Sequence, residues 1–330
     1  MGESRSGVPP RPRLEAVACA CLMLVASAVC AQDYPTRPIR VIVPQSAGGS
    51  TDMVARVVSQ RLGEALGQTV VVDNRPGSGS LNGTELAARA TPDGYTLLVV
   101  AASLSISPAV RKKLPFDVIR DFAPISQLVD LPHLLVVHPT VAANSVKELI
   151  ALAKAKPGAL NYASSGIATS THMAAELFFY MTGTRMVHVP YKGGGPGITA
   201  MLAGQCQAYF ATISTALPHV RSGKLRGLGV TAAKRSVAAS DIPTIAEAGV
   251  PGYAHSSWIA MAAPAKTPQS VVTRLHAEVA KIVHVAEVKK LLLREGLESL
   301  GNSPQEFAVN LKEEITKWQK VVKAAGIQPE

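Results

Sequence analysis

The sequence predicts an α/β protein made of two successive blocks in which short strands alternate with helices. Three observations carry this reading. β-branched runs of three to six residues recur between amphipathic stretches, glycine- and serine-rich turns lead from strand into helix, and strand-like runs stop after residue 263, leaving a helical tail.

In the first block, residues 39–43 form a β-branched run that stops at Pro44. A polar turn follows, and then a helix over 52–66 with Val54, Val57, Val58, Leu62 and Leu66 on one face. Strands are expected at 70–72 and 95–100, with a helix at 83–90 between them. This order implies a parallel sheet with helices on its faces.

The second block starts with a strand at 134–137. Ser145-Val146-Lys147-Glu148 has the spacing of a capping box and opens a helix that Pro157-Gly158 ends. Strands follow at 161–164, 187–189, 207–211 and 225–230, with helices at 170–181 and 197–202. Residues 258–263 read as a crossing segment. The tail reads as helices at 268–283, 287–294 and 304–324, with Pro268 and Pro304 at first helical positions, packed back on the first block. The chain crosses between blocks at 122–132 and 249–258.

The first 31 residues are expected to be a signal peptide. Arg5, Arg11 and Arg13 form a basic start, 16–29 is apolar, and Ala28-Val29-Cys30-Ala31 offers small residues for cleavage after Ala31. The apolar run is shorter than the roughly 20 residues that span a bilayer, and Val29 is a poor neighbour for a lipidated Cys30. No later apolar run is long enough to cross a membrane. Cleavage removes Cys19, Cys21 and Cys30, so Cys206 stays alone and reads as a small buried hydrophobe. It also leaves 30 basic against 21 acidic residues, a formal charge of +9. The basic residues are scattered, with no arginine-rich arm and no basic stripe interleaved with aromatics, which argues against nucleic acid. The charge suits solubility and a mild attraction for anionic solutes.

Ligands of open α/β sheets bind at the carboxyl ends of strands. Two loops here stand at such ends and lead into helices: Gln45, Ser46, Ala47, Gly48, Gly49 and Ser50, followed by Asp52; and Ser164, Ser165 and Gly166 through Thr169, Ser170 and Thr171 to His172. Glycine lets backbone amides approach a ligand, hydroxyls add donors, and the following helix start presents unpaired N–H groups suited to a carboxylate or phosphate. For either loop alone, an ordinary capped turn explains the residues equally well. A third loop, from Pro190 through Tyr191, Lys192 and Gly193 to Gly197, is too rich in glycine for packing alone, although Tyr191 in the core and Lys192 in solvent is an equal reading. A fourth, Ala101-Ala102-Ser103-Leu104-Ser105, offers Ser103 and Ser105 from a cleft floor.

Catalytic signatures fail. There is no G-x-S-x-G elbow and no P-loop, the Gly77–Gly83 stretch has one residue too many for a dinucleotide fingerprint, and the histidines lack metal-ligand spacing. No cofactor and no metal are expected.

Ordered motifs run through the chain: Tyr34-Pro35-Thr36-Arg37-Pro38-Ile39-Arg40; Gly48-Gly49-Ser50-Thr51-Asp52 with Arg56; Asp73-Asn74-Arg75-Pro76-Gly77; Pro92-Asp93-Gly94-Tyr95-Thr96-Leu97; Asn161-Tyr162-Ala163-Ser164-Ser165-Gly166; His188-Val189-Pro190-Tyr191-Lys192-Gly193; and Pro243-Thr244-Ile245-Ala246-Glu247-Ala248-Gly249. Over residues 33–326 the chain resembles the Bug family, the periplasmic receptors of tripartite tricarboxylate transporters. The resemblance implies a two-lobed periplasmic binding protein fold of type II with two crossover segments. Lobe 1 would be 32–131 with 252–330, and lobe 2 would be 132–251. It also implies a periplasmic monomer that closes on a small organic carboxylate, gripped by the first and second loops, and delivers it to transporter membrane subunits or a sensor kinase.

Two departures bear on the solute. Gln45 and Ser46 make the first loop more polar than the family's usual Pro-Phe start. Ala211-Thr212-Ile213-Ser214 carries no acid where amino-acid-binding members often have an aspartate. Thr212 is placed among the ligand-binding residues, and the solute is expected to be a carboxylate without an amine. The alternative is a secreted α/β isomerase or hydrolase using His172 or Lys192 as acid or base, for which no second member of a catalytic pair can be named.

Overall fold

The computed structural model describes Gly2 and residues 34–329. The expected signal peptide, with Cys19, Cys21 and Cys30, falls outside the described residues.

The strands are β1 (Ile39–Val43), β2 (Val70–Asn74), β3 (Thr96–Ala101), β4 (Phe122–Val137), β5 (Asn161–Ser164), β6 (Val187–Pro190), β7 (Ala208–Thr212), β8 (Arg226–Val230), β9 (Ser256–Pro264) and β10 (Glu298–Ser299). The helices are α1 (Ser50–Leu66), α2 (Leu81–Ala88), α3 (Ser103–Val110), α4 (Val146–Ala155), α5 (Ser170–Thr182), α6 (Gly194–Leu202), α7 (Ile213–Arg221), α8 (Gln269–His284), α9 (Ala286–Arg294) and α10 (Pro304–Ala325).

Hydrogen bonding orders the strands β2-β1-β3-β9-β4-β7-β5-β6, with β8 and β10 also on β4. β1 pairs in parallel with β2 and β3, and β5 in parallel with β6 and β7, as two β-α-β blocks require. β4 joins the halves. Its residues Phe122 to Pro132 pair antiparallel with β9, and from His133 onward it pairs with β7. One 16-residue strand thus holds the crossing expected at 122–132 and the strand expected at 134–137. Two register shifts against β9 bend it on the way. β9 lies between β3 and β4, so the chain re-enters the first half in the middle of its sheet.

Each half has its own core. Ile42, Leu98, Val100 and Trp258 pack with Phe307 and Leu311 of α10. Tyr162, Phe178, Phe210 and Tyr253 pack with Trp318, Val321 and Val322 of the same helix. The tail therefore serves both halves, where packing on the first block alone was expected. Its apolar residues recur at helical spacing along 22 residues, long enough to reach two cores.

The local signals differ in detail. Ser145 caps α4 by accepting from the Glu148 amide, but the Glu148 carboxylate accepts from the Asn144 amide at 2.8 Å, one residue short of a complete capping box. The complete box stands at α10, between Ser303 and Glu306. Pro268 is the N-cap of α8, one residue before the helix, while Pro304 is the first residue of α10. The helices α3 and α7 were not expected, because serine, threonine, proline and β-branched residues lower their helix propensity.

Candidate functional site

The first loop leaves β1 at Pro44 and enters α1 with Gly49 as an N-cap that has no side-chain hydrogen bond. Asp52, 3% exposed, holds the loop. Its carboxylate accepts from the Gly48 amide (2.9 Å), Arg56 Nε (3.0 Å) and Asn74 Nδ2 (3.0 Å), and Asn74 Nδ2 also donates to the Gln45 carbonyl (3.1 Å). Burial works to raise the Asp52 pKa, but those hydrogen bonds outweigh it and hold the carboxyl below its usual value. Asp52 thus shapes the loop through its own contacts, and the exposed residues Ser46 to Ser50 are left to face solvent. Beneath the loop, a Cβ on Gly83 would come within 2.8 Å of Pro44 Cα and 2.7 Å of the Arg75 carbonyl, so only glycine lets α2 pass this close.

The second loop is a hydroxyl network. Thr169 caps α5, accepting from the His172 amide and donating to the Gly166 carbonyl at 2.7 Å. Thr171 Oγ1 accepts from the Ser165 amide at 2.9 Å and lies 2.7 Å from Ser165 Oγ. Ser164 Oγ lies 2.6 Å from His188 Nε2. Gly166 (φ +135°) and Ala168 (φ +59°) turn the chain so that the start of α5 faces the other half. Because Thr169 covers only the His172 amide, the Ser170 and Thr171 amides have no partner within the helix.

A cavity of about 280 Å³ joins the halves. The first half contributes Gln45, Ser103, Ser107 and Arg111, and the second half contributes Ile167, Ala168, Thr169 and Ser170. Ile106 and Val110 add apolar wall, and Gly79 and Ser80 close one side. Gln45 Oε1 and Ser103 Oγ are buried with no hydrogen-bond partner. Buried polar atoms are rarely left so, which marks both as poised for something that enters. A larger groove, about 490 Å³, runs along Leu114 to Asp121 and includes no residue of the two loops.

Of the residues read from sequence, Gln45, Ser103, Thr169 and Ser170 line this cavity. Ser105 does not. Its hydroxyl is fully buried and bonds Ala102 O (2.9 Å) and Glu314 (2.8 Å). The reason is that 103–110 is a helix rather than a loop. Helical rotation of about 100° per residue groups positions 103, 106, 107 and 110 and turns 105 away. The same fact explains why Ile106, Ser107, Val110 and Arg111 were missed, and a helical reading of that stretch would have found them.

His172 is 3% exposed and sits behind the loop. Its Nδ1 accepts from the Ala168 amide at 3.1 Å, its Nε2 lies 3.6 Å from Glu176, and its ring stacks on His188 at 4.1 Å between centroids. Burial, with His172 alongside, pushes His188 down to about 4. The Tyr191 hydroxyl is 3.6 Å from Cys206 Sγ, Gly193 donates to the Ser165 carbonyl, and Thr212 precedes α7 with its hydroxyl 2.8 Å from that of Thr215. His172, Tyr191, Gly193 and Thr212 are absent from the cavity lining. Ser164, Ser165, Gly166 and Thr171 form the frame of the second loop.

Two α/β halves linked through β4 and β9, with a cavity walled by strand-to-helix loops of both, define a solute-binding protein of the periplasmic binding protein fold. Residues 54–327 match the family described as Tripartite tricarboxylate transporter family receptor, and the chain belongs to that family of solute-binding receptors. It is similar to the protein BugT of Bordetella pertussis, 35% identical over 304 residues that cover 92% of this chain and 93% of BugT. Among solved structures, Rpa4515 of R. palustris with adipate shares 36% identity at a TM-score of 0.78, covering 90% of this chain and all of that one. MatC of Rhodopseudomonas palustris with bound malate shares 29% identity at a TM-score of 0.74, covering 88% of this chain and all of that one.

Proposed function

We propose that this protein captures a small organic carboxylate without an amine in the cavity between its lobes and hands it to a tripartite transporter's membrane subunits or to a sensor. The observation that carries this is the cavity itself. It unites the start of α5 with Gln45 and Ser103, whose buried polar atoms await partners, and none of the described residues that line it is acidic. Backbone amides at a helix start and hydroxyl donors favour a carboxylate, and without an acid an ammonium group finds no counter-charge. Relatives bound to adipate and malate support the same chemistry. On this reading lobe 1 is 32–131 with 252–330, lobe 2 is 132–251, and closure is a hinge motion about the crossings. Export to the periplasm by the leader and action as a monomer belong to the same proposal.

An enzymatic role for His172 or Lys192 draws no support from their positions: neither lines the cavity, and both His172 nitrogens face protein groups. Calorimetric titration of the mature chain with a panel of mono-, di- and tricarboxylates and amino acids tests the proposal. A single-site carboxylate hit is expected, and folded protein that binds none of the acids overturns it.

A further inference from the structure

Gln45 is the one residue of the first loop that lines the cavity. Its neighbours Ser46 to Ser50 are exposed, whereas Gln45 is partly buried. Its backbone is fixed on both sides. Pro44 packs against Gly83 of α2, and the Gln45 carbonyl accepts from Asn74 Nδ2 at 3.1 Å, the same group that donates to the Asp52 carboxylate at 3.0 Å. The side-chain amide oxygen is buried all the same, and it has no hydrogen-bond partner. Ser103 Oγ, in the first turn of α3, is the other buried and unpartnered polar atom among the described residues that line the cavity.

We infer that Gln45 selects carboxylates that carry a hydroxyl group on the body of the solute. The two orphan atoms differ in what satisfies them. A serine hydroxyl donates as well as accepts, so a carboxylate oxygen serves Ser103. An amide oxygen only accepts, and so does a carboxylate, so the acid group of the solute leaves Gln45 unserved. An acid without a donor strands the Gln45 oxygen in a buried place, which is the costly side of the hydrogen-bond balance, whereas a hydroxyl pairs it. A site that presents such a group rejects the analogue lacking the donor more strongly than an apolar pocket rejects a missing methylene. An ammonium group also donates, but its charge finds no acidic side chain among the described lining residues. This rests on the carboxylate reading and adds to it a requirement set by one neutral residue.

The test is calorimetry of the mature chain, of Gln45→Met and of Ser103→Ala with pairs of acids that differ by a hydroxyl: butyrate against its hydroxylated derivatives, and succinate against malate. In the wild type at least one hydroxy acid should bind about 10-fold tighter than its parent, the effect of pairing a buried orphan group. Gln45→Met keeps the length of the side chain without its amide, and should bind both members of that pair within about twofold of each other. Ser103→Ala removes a donor to the acid group itself, so it should weaken both members by a similar factor, about fivefold, and preserve the preference. Melting curves for each variant verify folding, and Gln45→Leu takes the place of Gln45→Met if the latter does not fold. A wild type that binds parents and hydroxy acids equally, as when water fills the place beside the Gln45 oxygen, overturns the role of Gln45 and leaves carboxylate capture standing. So does a preference that survives Gln45→Met, or one that Ser103→Ala abolishes as fully. A wild type that binds no acid overturns the carboxylate reading itself.

Discussion

Ser170 Oγ, in the cavity wall, lies 2.9 Å from Nε2 of His255, the residue immediately before the strand that returns the chain to the first half. His255 is 2% exposed, stacks on His133 of β4 at 5.5 Å and meets the edge of Trp318 at 4.9 Å. The cavity is thus one hydrogen bond from a cluster built on both crossing strands and the bridging helix. Ser170→Ala should weaken solute binding about fivefold, the worth of one neutral hydrogen bond, with little change in melting temperature. His255→Ala should weaken binding similarly and also cost about 2 kcal/mol of stability, since it empties a packed site beside Trp318. Paired calorimetry and chemical denaturation check this, and a His255→Ala protein equal to wild type in both would refute the link.

The first loop depends on Asp52. Asp52→Asn removes the charge that three donors serve, so a loss of about 2 kcal/mol in stability is expected at pH 7, with weaker solute binding. Because the folded carboxyl is held below its usual pKa, the wild type's advantage is present above about pH 4 and is lost as pH falls through the folded value. Denaturant midpoints of both proteins should therefore differ at pH 7, and the gap should narrow as pH falls below 4. A constant gap would mean that the charge is not what holds the loop.

Global stability should rise with pH between about 4 and 6.5. Burial pushes His133 and His188 down to about 4, and drives His255 in the same direction. Across this window the unfolded chain holds protons on these rings that the folded chain does not, so stability falls as pH falls. Asp130 opposes them. Burial first, then Glu298 and Glu314 nearby, raise it to about 7 against hydrogen bonds from Ser256 and the Leu131 amide. Folded Asp130 keeps a proton that the unfolded residue has lost, so its contribution falls as pH rises from about 4 to 7. Three histidines against one aspartate leave a net slope in the histidines' direction, so stability rises with pH across this window. Denaturation at half-unit intervals measures it, and a flat profile would contradict the buried neutral histidines.

Asp130→Asn isolates the opposing group. At pH 8 wild-type Asp130 is ionised in the crossing strand beside two other carboxylates, and the amide relieves this. The variant should gain on wild type by roughly 2 kcal/mol between pH 5 and pH 8, about half of what the full shift converts to. An offset of the same size at both pH values would show that Asp130 does not titrate in this window.

The amino-acid sequence by itself determined the alternation of strands and helices, because β-branched runs and amphipathic periods are local properties. It also determined the two serine- and glycine-rich loops that lead into α1 and α5, since glycine conformations and capping hydroxyls act on their nearest neighbours. Gln45, Thr169 and Ser170 were legible for that reason. What only the tertiary structure decided is which side chains share the cavity. Local pattern could not show that Ser103 faces Ser170 while Ser105 turns to Glu314, because that depends on an eight-residue helix with a weak periodic signal. Nor could it show that Asp52 and His172 work from behind their loops, or that α10 packs into both cores. These are contacts between residues far apart in sequence, fixed by strand order and by burial summed over the whole chain. Arg111 is the clearest case: an unremarkable basic residue in the sequence, it enters the cavity because α3 ends there and Gly79 leaves room for its guanidinium.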